Sequence, residues 1–160
     1  MTEPRPVLGA EEHRALAKRL HGEVWELLGR AGRTPAECER MTYAAYASCY
    51  HWLEAGTAAH HARGEWLIAR VHTVLGERDA AVAHASRCLA LVESHPEAME
   101  DFDLPFGHEA LARAYALSGD RPAALRHLAL ARESGGRIAE EDDREVFFEE
   151  LDGGEWHGLA

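Results

Sequence analysis

The chain has no long apolar run, no paired-cysteine spacing and almost no lysine. No segment approaches the roughly 18 consecutive apolar residues of a membrane span. Met1 to Gly9 lack the apolar centre of a secretory signal, so a cytoplasmic protein is expected. The cysteines, Cys38, Cys49 and Cys88, are odd in number and have no C-x-x-C spacing. That argues against a disulfide framework and against a structural zinc motif. Each falls at a small-residue position of a predicted helix, where buried thiols are common. Lys18 is the only lysine, and the formal net charge is -11. Nucleic acid and anionic membranes both need a basic surface, so neither is an expected partner. There is no G-x-S-x-G and no Gly-rich phosphate loop, and no strand-like alternation. No enzyme and no cofactor are called for.

What is present is helical periodicity. The chain is 46% hydrophobic and 28% charged, an ordinary globular balance, and its 160 residues suit one domain. A loose arm over residues 1–9 precedes a helix from about Ala10 to Arg30, with Leu16, Leu20, Val24 and Leu27 at helical spacing. Thr34-Pro35-Ala36-Glu37 reads as a capping box opening a second helix to about Ala55. Further helices are predicted over His60 to Leu75, Gly76-Asp79 to Ser94, Pro105 to Leu117, Gly119-Asp120 to Gly135, and Ala139 to Leu151. His95 to Asp103 is predicted as an acidic loop without a calcium-binding frame. Asp103 is expected to N-cap the fifth helix near the groove mouth.

One hairpin pattern occurs twice. Ile68-Ala69-Arg70-Val71-His72, Gly76-Glu77-Arg78 and Ala81-Val82 recur as Leu111-Ala112-Arg113-Ala114-Tyr115, Gly119-Asp120-Arg121 and Ala124-Leu125. With Trp66, Cys88 and Ala131, these units resemble tetratricopeptide repeats. Their offset of 43 residues exceeds the roughly 34 usual for that repeat, the excess falling in the acidic loop. The consensus proline after the second helix has no clean match, and Cys88 stands where alanine is usual. The resemblance implies an all-α, tetratricopeptide-like α-α superhelix of about seven antiparallel helices. Residues 10–152 form its single domain: a divergent hairpin (10–56), two repeats (57–94 and 104–135) and a capping helix (139–151), with a tail over 153–160.

The resemblance also implies a concave groove lined by the first helix of each pair. Arg63, Trp66, Arg70 and Thr73 would face it from the third helix, and Phe106, Glu109 and Arg113 from the fifth. Arg70 and Arg113 share one repeat position, and two adjacent guanidiniums suit a carboxylate or phosphate. The competing reading pairs each with an internal carboxylate such as Glu65 or Glu109. Trp52 and Trp66, with Tyr50 and Tyr115, form either an aromatic wall beside the arginines or part of the core.

The histidines number eleven but show no H-x-x-x-H, H-E-x-x-H or E-x-x-H. Only His61 with Glu65, and His84 with Cys88, lie one helical turn apart. His51 would have to join His61 and Glu65 across a hairpin to make a metal site.

The expected function is a non-enzymatic adaptor binding an acidic peptide, a protein terminus or a small carboxylate ligand. Arg70 and Arg113 would supply charge, Trp66 and Trp52 apolar contact, and His51 and Glu109 orientation. The alternative is a helical metalloprotein or small-molecule enzyme using His51, His61, Glu65 and His108. A third is a homodimer in which the Trp156 tail enters a neighbour's groove.

Overall fold

The computed structural model describes residues 3–4 and 7–159. Residues 1, 2, 5 and 6 of the expected arm, and residue 160 of the tail, lie outside the described residues. Among the described residues there are seven α-helices: α1 (Ala10–Leu28), α2 (Pro35–Ala55), α3 (Ala58–Val74), α4 (Arg78–Ser94), α5 (Asp103–Ser118), α6 (Arg121–Gly135) and α7 (Glu141–Asp152).

Local chemistry sets the helix ends. The Thr34 hydroxyl accepts from the Glu37 N–H, and the Glu37 carboxylate accepts from the Thr34 N–H, closing the capping box that opens α2. The two repeat turns are built alike. Gly76 (φ 76°) and Gly119 (φ 82°) take the left-handed conformation, which a side chain would strain. The next N–H then reaches back over the turn: Glu77 to the His72 carbonyl at 2.9 Å, and Asp120 to that of Tyr115 at 3.0 Å.

Consecutive helices pack in pairs, α1 on α2, α3 on α4 and α5 on α6, the last two across these tight turns. Neighbouring pairs join through α2 on α3, α4 on α5 and α3 on α5. The result is an all-α protein of seven helices with mostly sequential antiparallel packing. Larger residues fill the first layer, where Val24, Leu27, Met41, Leu67, Ile68 and Val71 are buried. Between α3, α4 and α5 the core narrows to alanines (Ala69, Ala81, Ala85, Ala110, Ala114), which lets those backbones approach closely.

Two elements depart from expectation. The acidic segment carries a short 3₁₀ turn, Pro96–Ala98, and Asp103 is already the first residue of α5. Its buried carboxylate accepts the Glu100 N–H at 2.8 Å and two bonds from Arg63, and makes no cap bond to its own helix. The last helix is more than an end cap. Phe147 on α7 is fully buried, packs edge-on to Phe106 at 5.0 Å and lies against Gly135. From there α7 runs on until Glu150 lies 3.6 Å from Arg70 of α3.

Candidate functional site

Arg70 and Arg113 are neighbours, as their shared repeat position implies, but both are occupied from within. Arg113 is only 2% exposed and donates to Glu109 at 2.5 Å. Its other nitrogens reach carbonyls at the end of α7 and beyond: Glu150 at 2.5 Å, Gly153 at 2.9 Å and Glu155 at 3.2 Å. The guanidinium also lies 4.1 Å over the Trp156 ring. A cation among the last carbonyls of a helix meets the negative end of its dipole. Arg113 thus serves as a C-terminal cap for α7. Arg70 lies 3.5 Å from Glu109 and 3.6 Å from Glu150. Glu109, 1% exposed, also accepts from Trp66 Nε1 at 2.9 Å. Gly154 (φ 71°) fits beside both arginines, and a Cβ there would come within 3.0 Å of Arg113 Nη1.

The tail reaches the Arg70–Arg113 pair from its own chain, and the crevice left beside them is only about 10 Å³. Arg113 is therefore not an open ligand contact, since its donors are consumed by the end of α7.

Open space lies elsewhere, and Trp66 borders both it and that crevice. A cavity of about 270 Å³ is bounded by α1, α3, α4, α5 and α7, and its walls are almost wholly apolar. Trp25, Trp66, Val92, Phe102, Phe106 and Val146 are among the residues that line it. Trp25 and Trp66 stack at 5.8 Å, and Phe106 meets Trp66 edge-on at 5.7 Å. Trp66 is held from behind by Glu109, so its ring is fixed in place.

The polar groups on this cavity are few. His21 Nε2 accepts from Trp25 Nε1 at 2.9 Å, and burial lowers its pKa, so the imidazole is neutral. Arg63 grips Asp103 with Nε and Nη2 at 2.9 and 2.8 Å, while its guanidinium lies 5.1 Å over Phe102. The bond to Asp103 raises the Arg63 pKa further. Both contacts leave Nη1 without a hydrogen-bond partner among the described residues. Arg63 is 38% exposed at the side chain and Asp103 only 3%. One cationic donor therefore stands free at the lip of an apolar cavity.

The remaining predicted site residues lie elsewhere. Trp52 stacks on His60 at 4.1 Å and borders a separate recess shared with Lys18, His21 and Arg63. Tyr115 stacks on His127, and His127 faces His108 at 3.1 Å between α5 and α6. His51 turns to His13, with 2.9 Å between the Nδ1 atoms, and does not join His61 and Glu65. Cys49 does so in its place, and the donor atoms of Cys49, His61 and Glu65 all lie within 4.8 Å of one another. Residues two apart on a helix point to nearly opposite sides. Cys49 and His51 therefore could not both face α3, and spacing alone was enough to choose between them only once the buried side of α2 was known.

Around Glu65 the polar groups form a chain. His84 Nδ1 lies 2.5 Å from Glu65 Oε2, so that nitrogen carries the proton. Tyr46 Oη lies 2.9 Å from His84 Nε2 and 2.7 Å from His72 Nε2. His72 Nδ1 is buried with no hydrogen-bond partner among the described residues, 3.4 Å from a Glu77 carboxylate oxygen, and burial lowers the His72 pKa against the opposing pull of Glu77. The Cys49 thiol is pushed up to about 12, chiefly by burial and then by Glu65.

Comparison with family models, with curated proteins and with solved structures finds no match. No helix among the described residues is long and apolar enough to cross a membrane. Sequence reasoning missed Trp25, Phe102 and Val146 as cavity residues.

Proposed function

We propose that this protein is a non-enzymatic binding module of tetratricopeptide-like build. Support for the architecture comes from the paired αL turns at Gly76 and Gly119 and from the direct packing of α3 on α5, the first helices of the two repeats. Its cavity receives the apolar body of a small carboxylate ligand, and Arg63 Nη1 holds the carboxylate at the lip. A peptide ending in a bulky apolar residue presents the same chemistry through its terminal carboxylate.

The observation that carries this reading is the aromatic cavity with one uncommitted guanidinium nitrogen beside it. Ligand sites of this kind are mostly apolar, with a few fixed polar groups that set orientation. The cationic role moves to Arg63 because Arg70 and Arg113 are engaged by Glu109 and α7.

Calorimetric titration with phenylalkanoic acids, their primary amides and short peptides ending in leucine or phenylalanine tests it. A charge-assisted contact is worth about 1.5–3 kcal/mol, so the acids bind roughly tenfold or more tighter than matched amides. In Arg63→Gln that preference collapses while weak apolar binding persists. Equal affinity of acid and amide for the native protein is the contrary result.

A further inference from the structure

The junction of α2, α3 and α4 carries a second candidate site, independent of the cavity. Cys49 comes from α2, and His61 and Glu65 from consecutive turns of α3. One donor atom from each, the thiol sulfur, an imidazole nitrogen and a carboxylate oxygen, all lie within 4.8 Å of one another. His61 Nε2 lies 3.6 Å from Glu65 Oε1. That is too long for a hydrogen bond, whose N···O distance is about 2.7–3.2 Å. It is close to the separation of two ligands on one tetrahedral ion with bonds of about 2.0–2.2 Å. Gly64 makes the sulfur's approach possible, since a Cβ there would lie 2.7 Å from Sγ.

We infer that Cys49, His61 and Glu65 form a site for one borderline-soft divalent ion of the zinc class. Thiolate, imidazole and carboxylate are a mixed donor set suited to such an ion, and two anionic ligands neutralise its charge. Three protein ligands leave one position for water. Outside them, His84 Nδ1 holds the other oxygen of Glu65 and is itself fixed by Tyr46, the kind of support that orients metal ligands. Arg87 lies 3.2 Å from Glu65 Oε1 but is 60% exposed, so it can swing into solvent when an ion arrives. His61, at 18% exposure, marks the way in.

The test is titration of the full-length, untagged protein with Co²⁺, which reports thiolate ligation by a charge-transfer band in the near ultraviolet. One equivalent should saturate the band, with visible d–d transitions of a tetrahedral ion, and Zn²⁺ should abolish both. Cys38→Ser and Cys88→Ser keep the band, whereas Cys49→Ser loses it. His61→Gln, at a partly exposed position, retains the fold and weakens Co²⁺ binding at least about tenfold. Absence of the band in the native protein, or its survival in Cys49→Ser, overturns the site. Binding without the band assigns the ion to the His13–His51 or His108–His127 pairs and equally overturns it.

Discussion

Glu109 is the residue on which the placement of Arg70 and Arg113 depends. It is 1% exposed and serves Arg113, Arg70 and Trp66 together. Removing one partner of a buried ion pair leaves an uncompensated charge, at about 3–5 kcal/mol. Glu109→Ala should therefore lower stability by that order in denaturant melts. Glu109→Gln keeps an acceptor for Trp66 and should lose clearly less. Equal losses would mean that the charge, which both variants remove, accounts for the whole effect, and no loss in Glu109→Gln would contradict the ion-pair argument.

Protonation is the second residue-scale consequence. Burial drives the His108 pKa down to about 4 from an ordinary 6.5, with His127 acting in the same direction. His127 is lowered by burial and Arg126 against the opposing pull of Glu93, and it stacks on Tyr115. His21, His60 and His72 are shifted the same way. Because the unfolded chain takes up these protons first, stability is fully present above pH 6.5 and declines as the pH falls toward 4. Thermal melts across that range should show the decline, and His108→Gln should flatten it. The pairing of Arg70 and Arg113 with Glu109 was among the readings open from sequence. The freedom of Arg63 Nη1 was not, because it depends on which two of three nitrogens Asp103 takes.

At the scale of elements, the helix starts and stops were largely legible. Thr34-Pro35, Gly76 and Gly119 act through a few local bonds, and local bonds are written in local sequence. The course of α7 was not legible. Nothing in the periodicity of residues 141–152 states that the helix folds back onto α5 and α6, since that depends on the turn after Gly135 and on the space Phe147 finds. Gly135 provides that space, and any Cβ there overlaps the Phe147 ring. Gly135→Ala should cost about 1–3 kcal/mol through overpacking, despite alanine's higher helix propensity. Adding Phe147→Leu should recover part of the loss, as coupled neighbours do. A simple sum of the two single effects would show that the contact is not the cause.

For the whole molecule, the tail alters the meaning of the repeat. The two hairpins that carry the repeated pattern, α3–α4 and α5–α6, are flanked by α1 and α2 on one side and by α7 on the other. Residues 150–156 pack around Arg113, and the open space lies in the cavity between Trp25, Trp66 and Phe106. The net charge of -11 makes a single exposed cation at that cavity more selective, because long-range repulsion disfavours anions unless a local donor captures them.

The most direct measurement is a fluorescence titration with an apolar carboxylate, using the stacked Trp25 and Trp66 as reporters. Native protein and Arg70→Gln should saturate at similar concentrations, and Arg63→Gln should need roughly tenfold more ligand or beyond. If Arg70→Gln weakens binding as much as Arg63→Gln, or if neither matters, the cavity with its free guanidinium is not the recognition site.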